Sequence, residues 1–504
     1  MERTPPQKCS PAKAGAQSGH PPSRVNTLWV VALAIVLVAL ALLRPVDHDE
    51  SQYVAAAALA ARGLVPYRDF AYLQTPLQPL LFAPIAWFAG IWTWPALRIL
   101  NALLGLATIL AVHRAARIGG AGTRAATLAA ALFATCDILL FSIGTARNDA
   151  LPAACLALAL PAIVRTARDQ ARRRDAVVIG LLLAAATAAK ISYALPALIY
   201  GAWTLFDRNR RPWWTLLGAV PVAILVAVLF AAAPDGFLFG VLDFPGRAPT
   251  EWYGARPWKL SNTAKIVDVL KFLALGPALL AIVATTGRRH RWHRILDLLL
   301  LAGLIAALAP VPTWRQYLLP MLPALFVRLA LVWHAHPPGK VMRIAAVLFA
   351  CAGVAPSVEA VAQIRGGIPM VAAMRDAAAI RATSMRMHVA GPVATLSPQF
   401  LAAAAIDPRF ATGPFYFRST ALLDARREYR LHLVSQARPH LLGYPPAILT
   451  GGEGAWSSGD DRIDAALANL AIRSGYRAVA VPGTRFTLYV PPAASPRPAP
   501  RNRP

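Results

Sequence analysis

Long runs of apolar residues dominate the pattern of this chain. Most are close to the roughly 20 residues that a helix needs to cross the hydrocarbon core of a bilayer. These runs cover residues 25–43, 96–113, 124–143, 148–165, 213–233, 265–286, 295–310, 316–334 and 341–361. A further run over 176–206 is too long for one span and is interrupted at Lys190, so it predicts two short spans that form a hairpin.

The positions of Lys and Arg predict how these spans are oriented, because short cytoplasmic loops of membrane proteins are enriched in both residues. The amino-terminal head is basic as well. The cationic loops lie at 114–124, 165–174, 208–211, 288–294 and 340–343. Placing all of these segments on one side gives about eleven spans, with a cytoplasmic amino terminus and an outer carboxyl terminus.

One apolar segment, 76–90, is left out of that count. Counting it as a span would place the cationic loop 114–124 outside and invert every later loop. It also contains several prolines, which disfavour a straight spanning helix. We therefore predict a helix that lies in the outer interface or dips into the membrane.

The composition agrees with a polytopic membrane protein. The chain has 504 residues, of which 57% are hydrophobic and 15% charged, unlike a soluble domain. The net charge of +27 reflects in large part the cationic loops, and the remainder would attract anionic lipid head groups. The sequence contains no nucleic-acid-binding motif, so the partner it predicts is the lipid bilayer and not a nucleic acid.

The two ends of the chain differ from its middle. Residues 1–24 are rich in Pro, Ser and Gly and predict a disordered cytoplasmic tail, and 491–504 form a Pro-rich tail. Between the last apolar run and that tail, 365–490 alternate short apolar runs with turns. The expected strands are 392–396, 447–450, 478–481 and 487–490, with a helix at 462–474. The predicted fold is a polytopic α-helical membrane domain over 25–361 followed by a small α/β domain in the periplasm.

The most informative polar segment, Asp47-His48-Asp49-Glu50, follows the first apolar run. Carboxylates beside hydrocarbon are costly and usually mark a site or an ion path. Asp49, or Glu50 as second choice, could take the proton from an attacking hydroxyl. Asp47 and Asp49 could also hold Mg²⁺ or Mn²⁺. The alternative is that Asp49 merely caps the next helix, but a cap needs only one acid.

The segment that begins with these acids resembles the first outer loop of GT-C glycosyltransferases. The likeness is to the branch that holds protein mannosyltransferases and lipid A aminoarabinose transferases. It is carried by Asp49-Glu50, Tyr53, an Ala-rich helix, Gly63, Pro66-Tyr67-Arg68-Asp69-Phe70 and a Pro-punctuated helix that ends at Gly90. The resemblance covers most of residues 25–335, with the outer loop at 44–95, and implies a GT-C fold and a catalytic acid at Asp49.

Three further motifs occur in the order of that family. They are Asp149 within Arg147-Asn148-Asp149-Ala150-Leu151, Lys190 after Ala188-Ala189, and Arg315-Gln316-Tyr317-Leu318-Leu319-Pro320. One motif departs from it. Aminoarabinose transferases carry Lys-Pro-Pro where this chain has Gln74-Thr75-Pro76-Leu77, so Lys190, Arg315 or Arg68 would have to supply the missing cation.

The resemblance implies a polyprenyl-phosphate-linked sugar as donor and a hydroxyl or phosphate on a lipid, glycan or protein as acceptor. Transfer would occur at the outer face of a bacterial inner membrane and invert the anomeric centre. Asp49 would act as base, and Lys190 and Arg315 would hold the leaving phosphate. The other candidates for substrate contact are Asp47, Tyr53, Arg68, Asp69, Asp149, Trp252 and Tyr317.

Each of these candidates also has a purely structural interpretation. Lys190 could extend from its hairpin to the interface, Asp149 could cap a helix, and the tyrosines and Trp252 could be interfacial aromatics. Two other functions compete with the enzyme. A secondary transporter would bury acids at the centres of its spans and show internal repeats, and neither is evident here. A non-catalytic scaffold would act through its outer domain alone.

Overall fold

The computed structural model describes residues 27–254, 256–287, 293–364, 367–408, 447–453 and 462–491. The predicted tail 1–24 lies outside these ranges, as does nearly all of the Pro-rich tail. The described chain is mostly helical and carries one small sheet near its carboxyl end.

The first half of the chain forms helices joined by short connections. They are α1 Thr27–Leu43, α2 Glu50–Ala60, α3 Leu77–Ala89, α4 Thr93–Ile118, α5 Thr123–Ala134, α6 Asp137–Ile143, α7 Ala150–Ala167, α8 Arg173–Ala189, α9 Ala194–Leu205 and α10 Pro212–Ala232. The break between α8 and α9 falls at Lys190, where the sequence predicted the tip of a hairpin.

The second half continues in the same manner. Its helices are α11 Pro234–Leu238, α12 Phe244–Trp252, α13 Asn262–Ala274, α14 Ala278–Thr285, α15 Arg294–Leu308, α16 Leu322–Ala335, α17 Lys340–Ala362, α18 Pro369–Arg386, α19 Pro398–Ala403 and α20 Arg462–Arg473. A 3-10 helix, Arg315–Met321, leads into α16.

Fewer helices than predicted are long and apolar enough to cross a membrane. Among the described residues there are five, or up to seven if each bent pair of helices forms one span. The predicted number of about eleven is therefore not confirmed. Helix α1 and the segment Ile191–Leu205 are apolar but shorter than the others.

Two predicted spans are broken, so the expectation of one straight helix was wrong for each. The run 124–143 forms α5 and α6, which are bent by 64°, and 265–286 lies within α13 and α14, which are bent by 93°. At the second break Gly276 has φ of 129°, and the following Pro277 lacks the N–H that a continuing helix would use. Uniform hydropathy hides such breaks.

Helices α8 and α10 approach each other closely through two glycines. A Cβ on Gly180 would lie 1.8 Å from the carbonyl oxygen of Thr215, and one on Gly218 would lie 2.0 Å from that of Val177. Small residues allow this approach, which maximises van der Waals contact where the surroundings are lipid.

The sheet is formed by the C-terminal unit, which we define as residues 369–408, 447–453 and 462–491. Its strands are β1 Val393–Thr395, β2 Ala447–Thr450, β3 Arg477–Ala480 and β4 Thr487–Val490. Their order is β1-β2-β4-β3, with β1 and β2 parallel and the other neighbours antiparallel. Strands and helix α20 lie within a residue or two of the predicted ones.

Candidate functional site

The acidic segment, residues 47–50, forms the turn that starts α2. The backbone N–H of Asp49 donates to Asp47 Oδ1 over 2.8 Å, so Asp47 fixes this turn. The side chain of Asp49 makes no capping hydrogen bond to the helix. The interpretation of Asp49 as a simple helix cap is therefore wrong, and its carboxylate points to other partners.

Those partners centre on Arg147, which lies just before α7. Its guanidinium pairs with Asp49 Oδ2, lies 3.6 Å from Asp47 Oδ2 and donates from Nε to Asp149 Oδ2 over 3.2 Å. Asp49 also contacts His48, whose Nε2 lies 3.0 Å from Asp49 Oδ1. The side chain of Arg147 is 7% exposed, so one buried cation gathers three carboxylates from two distant segments.

Lys190 joins this cluster from the hairpin between α8 and α9. Its Nζ donates to Asp149 Oδ1 and lies 5.3 Å from the centre of the Tyr317 ring. Three residues that the sequence singled out separately therefore form one group. Asn148 strengthens the link, since its Nδ2 donates to the carbonyl oxygen of Ala189 over 3.3 Å.

A second group of cations surrounds the ring of Phe141 in α6. The guanidinium carbons of Arg315, Arg44 and Arg147 lie 3.7, 5.0 and 5.4 Å from its centre. Arg315 also donates to the fully buried Asp137 over 2.7 Å. The face of an aromatic ring attracts cations. Around Phe141, three guanidiniums therefore lie together close to the acidic segment.

Arg44 lines a narrow, mostly apolar cleft. The cleft is formed by α1, α6 and α17. Its lining residues are Leu37, Leu40, Arg44, Leu140, Ile143, Gly144, Ser357 and Val361. Arg44 donates to the carbonyl oxygen of Leu140 over 3.3 Å and has no carboxylate within ion-pair distance in the described part of the chain.

Glu50 has a different environment from its neighbour Asp49. It is fully buried, and its carboxylate accepts two hydrogen bonds from Arg98, one from Trp94 Nε1 and one from the N–H of Ala146. Burial raises the pKa of Glu50, and the guanidinium of Arg98 opposes this effect. All four donors are protein groups, so Glu50 holds the loop together rather than facing an open site.

Three other predicted residues, whose side chains are described, have partners outside the cluster. Arg68 and Asp69 form an ion pair with each other in the turn after α2, where Asp69 Oδ2 also accepts from the N–H of Val65. Tyr53 is buried among aromatic rings, 6.4 Å from Tyr72. Trp252 ends α12, and its side chain lies outside the described part of the structure.

The sequence predictions missed Arg44, Arg98, Asp137 and Arg147 as members of the site. A charged residue within or at the end of an apolar run was the available signal, since such residues usually have a partner and a function. The signal does not reveal the partner, because Arg98 and Glu50 are 48 positions apart and Arg315 and Asp137 are 178 apart.

The acidic segment also contains the donor set for a divalent cation. Ligand atoms of Asp47, His48 and Asp49 lie within 4.8 Å of one another. Two carboxylates and an imidazole suit Mn²⁺ or Zn²⁺ better than Mg²⁺, which prefers oxygen ligands and water. The residues therefore fit a metal, although Arg147 already contacts both carboxylates.

Comparison with known proteins supports the fold. No protein-family model matches the chain, and no curated protein matches it. The chain is similar to the structure of ArnT from Cupriavidus metallidurans bound to undecaprenyl phosphate, with 16% identity, a TM-score of 0.60 and coverage of 92% of this chain and 97% of that chain. It is also similar to ArnT in the apo state, with 15% identity and a TM-score of 0.56.

ArnT is a glycosyltransferase of the GT-C superfamily. The present chain therefore shares the fold of ArnT over 92% of its length. The resemblance of its sequence motifs to GT-C proteins is confirmed at the level of the fold. At this identity the similarity does not carry a substrate or a residue role from one chain to the other.

Proposed function

We propose that this protein is a membrane glycosyltransferase that moves a sugar from a polyprenyl-phosphate donor to an acceptor hydroxyl. The observation that carries the proposal is the position of Arg44, an unpaired cation among the described residues, in the wall of an apolar cleft and against the same ring as Arg147. Arg147 in turn contacts Asp49. The lipid chain at the cleft, its phosphate at Arg44 and the base Asp49 would then lie next to one another in space.

The cleft would contact the donor's chain without enclosing it. The space inside it is about 10 Å³, about that of one water molecule, so a polyprenyl chain would lie along its open side with the phosphate at Arg44. Its lining is mostly apolar, and the charged residue in that lining is Arg44. A lipid phosphate fits this arrangement, because its apolar chain suits the apolar lining and its negative charge suits Arg44.

In the proposed reaction, Asp49 accepts the proton of the acceptor hydroxyl while the oxygen attacks the anomeric carbon. The bond between that carbon and the phosphate oxygen breaks, and polyprenyl phosphate leaves with the electron pair. Arg44 and Arg315 would stabilise the charge that develops on the phosphate. A single displacement inverts the anomeric centre. Arg147 orients the carboxylate of Asp49 by ion pairing.

Lys190 and Tyr317 would contribute to the sugar side of the site. Lys190 is held by Asp149 and lies over the Tyr317 ring, so it is a fixed cation and not a mobile one. Asp47, His48 and Asp49 would hold a divalent cation, which would supply positive charge against the donor phosphate. Transfer measured after chelation, and again with added Mn²⁺ or Mg²⁺, would determine whether the reaction requires it.

The acceptor could be a lipid, a glycan or a protein. We place the reaction at the outer face of a bacterial inner membrane, with a cytoplasmic amino terminus and a periplasmic C-terminal unit. The distribution of Lys and Arg supports this orientation.

The test is transfer of labelled sugar from a panel of polyprenyl-phosphate sugars by the purified protein in lipid, with membrane extract as acceptor. Asp49→Asn should reduce transfer at least about 100-fold, as expected for the loss of a general base. Asp235→Asn is the matched control, because Asp235 is an exposed acid at the start of α11, outside the cluster. It should transfer at the wild-type rate.

Two results would contradict the proposal. Equal transfer by wild type and Asp49→Asn would exclude Asp49 as the base. Absence of transfer with every donor would exclude the proposed donor class and favour a transporter, which uptake or exchange across proteoliposomes would then reveal.

A further inference from the structure

The C-terminal unit contacts the membrane domain beside the acidic segment. Helix α19 packs against α2 and α4. Its Phe400 is fully buried, with its ring centre 5.3 Å from that of Trp94 in α4 and 4.7 Å from that of Phe486, which precedes β4. Phe400 therefore connects the sheet to α4 through two aromatic contacts.

Trp94 continues this connection to the acidic segment. Its Nε1 donates to Glu50 Oε2 over 2.6 Å, and Glu50 Oε1 accepts from the N–H of Ala146 over 2.9 Å. Glu50 is adjacent to Asp49 in the chain, and Ala146 is adjacent to Arg147. One buried carboxylate thus fixes the position of both partners of the Asp49–Arg147 ion pair.

A second contact holds the other end of α2. Arg62, two residues after the helix, donates from Nη2 to the carbonyl oxygen of Ile406 over 3.3 Å, and its Nη1 lies 3.7 Å from Asp407. Both acceptors follow α19 in the C-terminal unit. The helix that begins with Glu50 is therefore held at its start and at its end by the same part of that unit.

We propose that the C-terminal unit positions the catalytic acid, with Phe400 acting through Trp94 and Glu50 on Asp49. This inference rests on the proposed function, since it assigns Asp49 as the base. Phe400 is a positioning residue and contacts no substrate. Its effect would be large because a displacement of about 1 Å at a reacting group can reduce the rate about 100-fold.

The kinetic test compares two truncations in the C-terminal unit. Phe400→Ala should lower kcat for sugar transfer about 10- to 100-fold and leave KM for the donor within about twofold, because the donor contacts remain. Leu488→Ala removes an equally buried side chain from β4, which pairs with β2 and β3. It should retain the wild-type kcat. Phe400→Leu, which keeps apolar bulk, should recover part of the loss.

A second measurement does not require activity. Ser51 follows Glu50, is fully buried, and its Oγ has no hydrogen-bond partner in the described structure, so Ser51→Cys is a small change. With Cys9 and Cys351 replaced by Ala, a membrane-impermeant maleimide on intact cells reports the opening of this turn. Phe400→Ala should label about tenfold faster than its parent, and Leu488→Ala should label at the parent's rate.

The outcomes separate the two proposals. Unchanged kcat or unchanged labelling in Phe400→Ala overturns the positioning role. If no variant, including wild type, transfers sugar, the proposed function fails and the labelling still decides whether Phe400 holds the turn. If Phe400→Ala does not accumulate as folded protein, Trp94→Phe replaces it, since that variant keeps an aromatic ring and removes the hydrogen bond to Glu50.

Discussion

Arg98 holds the carboxylate of Glu50 with two parallel hydrogen bonds, of 2.9 Å from Nε and 3.0 Å from Nη2. The same guanidinium donates to the carbonyl oxygens of Ala41, Arg44 and Pro45 at the end of α1. Both side chains are fully buried. One residue of α4 therefore fixes the end of α1, the start of α2 and the acidic segment between them.

Removing one partner of this pair should destabilise the protein. Arg98→Met leaves Glu50 charged and buried, which costs about 3–5 kcal/mol in comparable sites. We expect a lower Tm in detergent. Arg343→Met is the control, since Arg343 is exposed at the start of α17. The double variant Glu50→Leu with Arg98→Met should be more stable than Arg98→Met, and a double variant that is equally unstable would show that the lost carbonyl contacts dominate.

The sequence predicted the parts of the site that are local in the chain. The acidic segment, the hairpin at Lys190 and all four strands follow from short patterns of polar and apolar residues. It did not predict the role of Glu50, because Asp49 and Glu50 are equivalent acids in the sequence. The structure distinguishes them, since Arg98 donates two hydrogen bonds to Glu50. The breaks in 124–143 and 265–286 were missed for a related reason, since hydropathy averages over the residues that end a helix.

Arg44 should affect donor binding. Arg44→Met removes the cation that lines the cleft, and hydrogen bonds to charged groups contribute about 1.5–3 kcal/mol. We therefore expect KM for the donor to rise about tenfold or more, with a smaller rise in Arg44→Lys. Initial rates at several donor concentrations would measure this. A KM equal to that of the Arg343→Met control would remove Arg44 from the donor site.

The contact between α8 and α10 should tolerate no side chain. Gly180→Leu would place a Cβ within 1.8 Å of the Thr215 carbonyl oxygen and separate the helices. We expect less folded protein and a lower Tm. The free energy of unfolding should fall by about 1–3 kcal/mol or more, as it does when a packed core is overfilled. Gly201→Leu in α9 is the matched control, because a Cβ there meets nothing within 4 Å. Equal stability of the two variants would contradict the close packing.

The C-terminal unit should lose stability as the pH rises through the range in which Asp464 ionises. Burial raises the pKa of Asp464 from 3.8 to about 6, although its carboxylate accepts from the N–H groups of Gly451 and Glu453 and lies near Arg485. Because the folded state retains its proton over a range in which the unfolded chain has lost it, stability is highest below the ordinary pKa. Between about pH 4 and pH 6 the free energy of unfolding then declines by at most about 3 kcal/mol in total. Above about pH 6 it is constant.

Asp464→Asn removes this titration. Hydrogen exchange of peptides that cover β2 and β4, measured in the full chain at several pH values, would compare the two proteins while cancelling the intrinsic pH dependence of exchange. The stability difference between Asp464→Asn and wild type should grow as the pH rises from about 4 to about 6 and then remain constant. Asp376, whose pKa burial also raises, is present in both proteins and does not contribute to that difference. A difference that is flat across this range would show that Asp464 is already ionised at the lower pH.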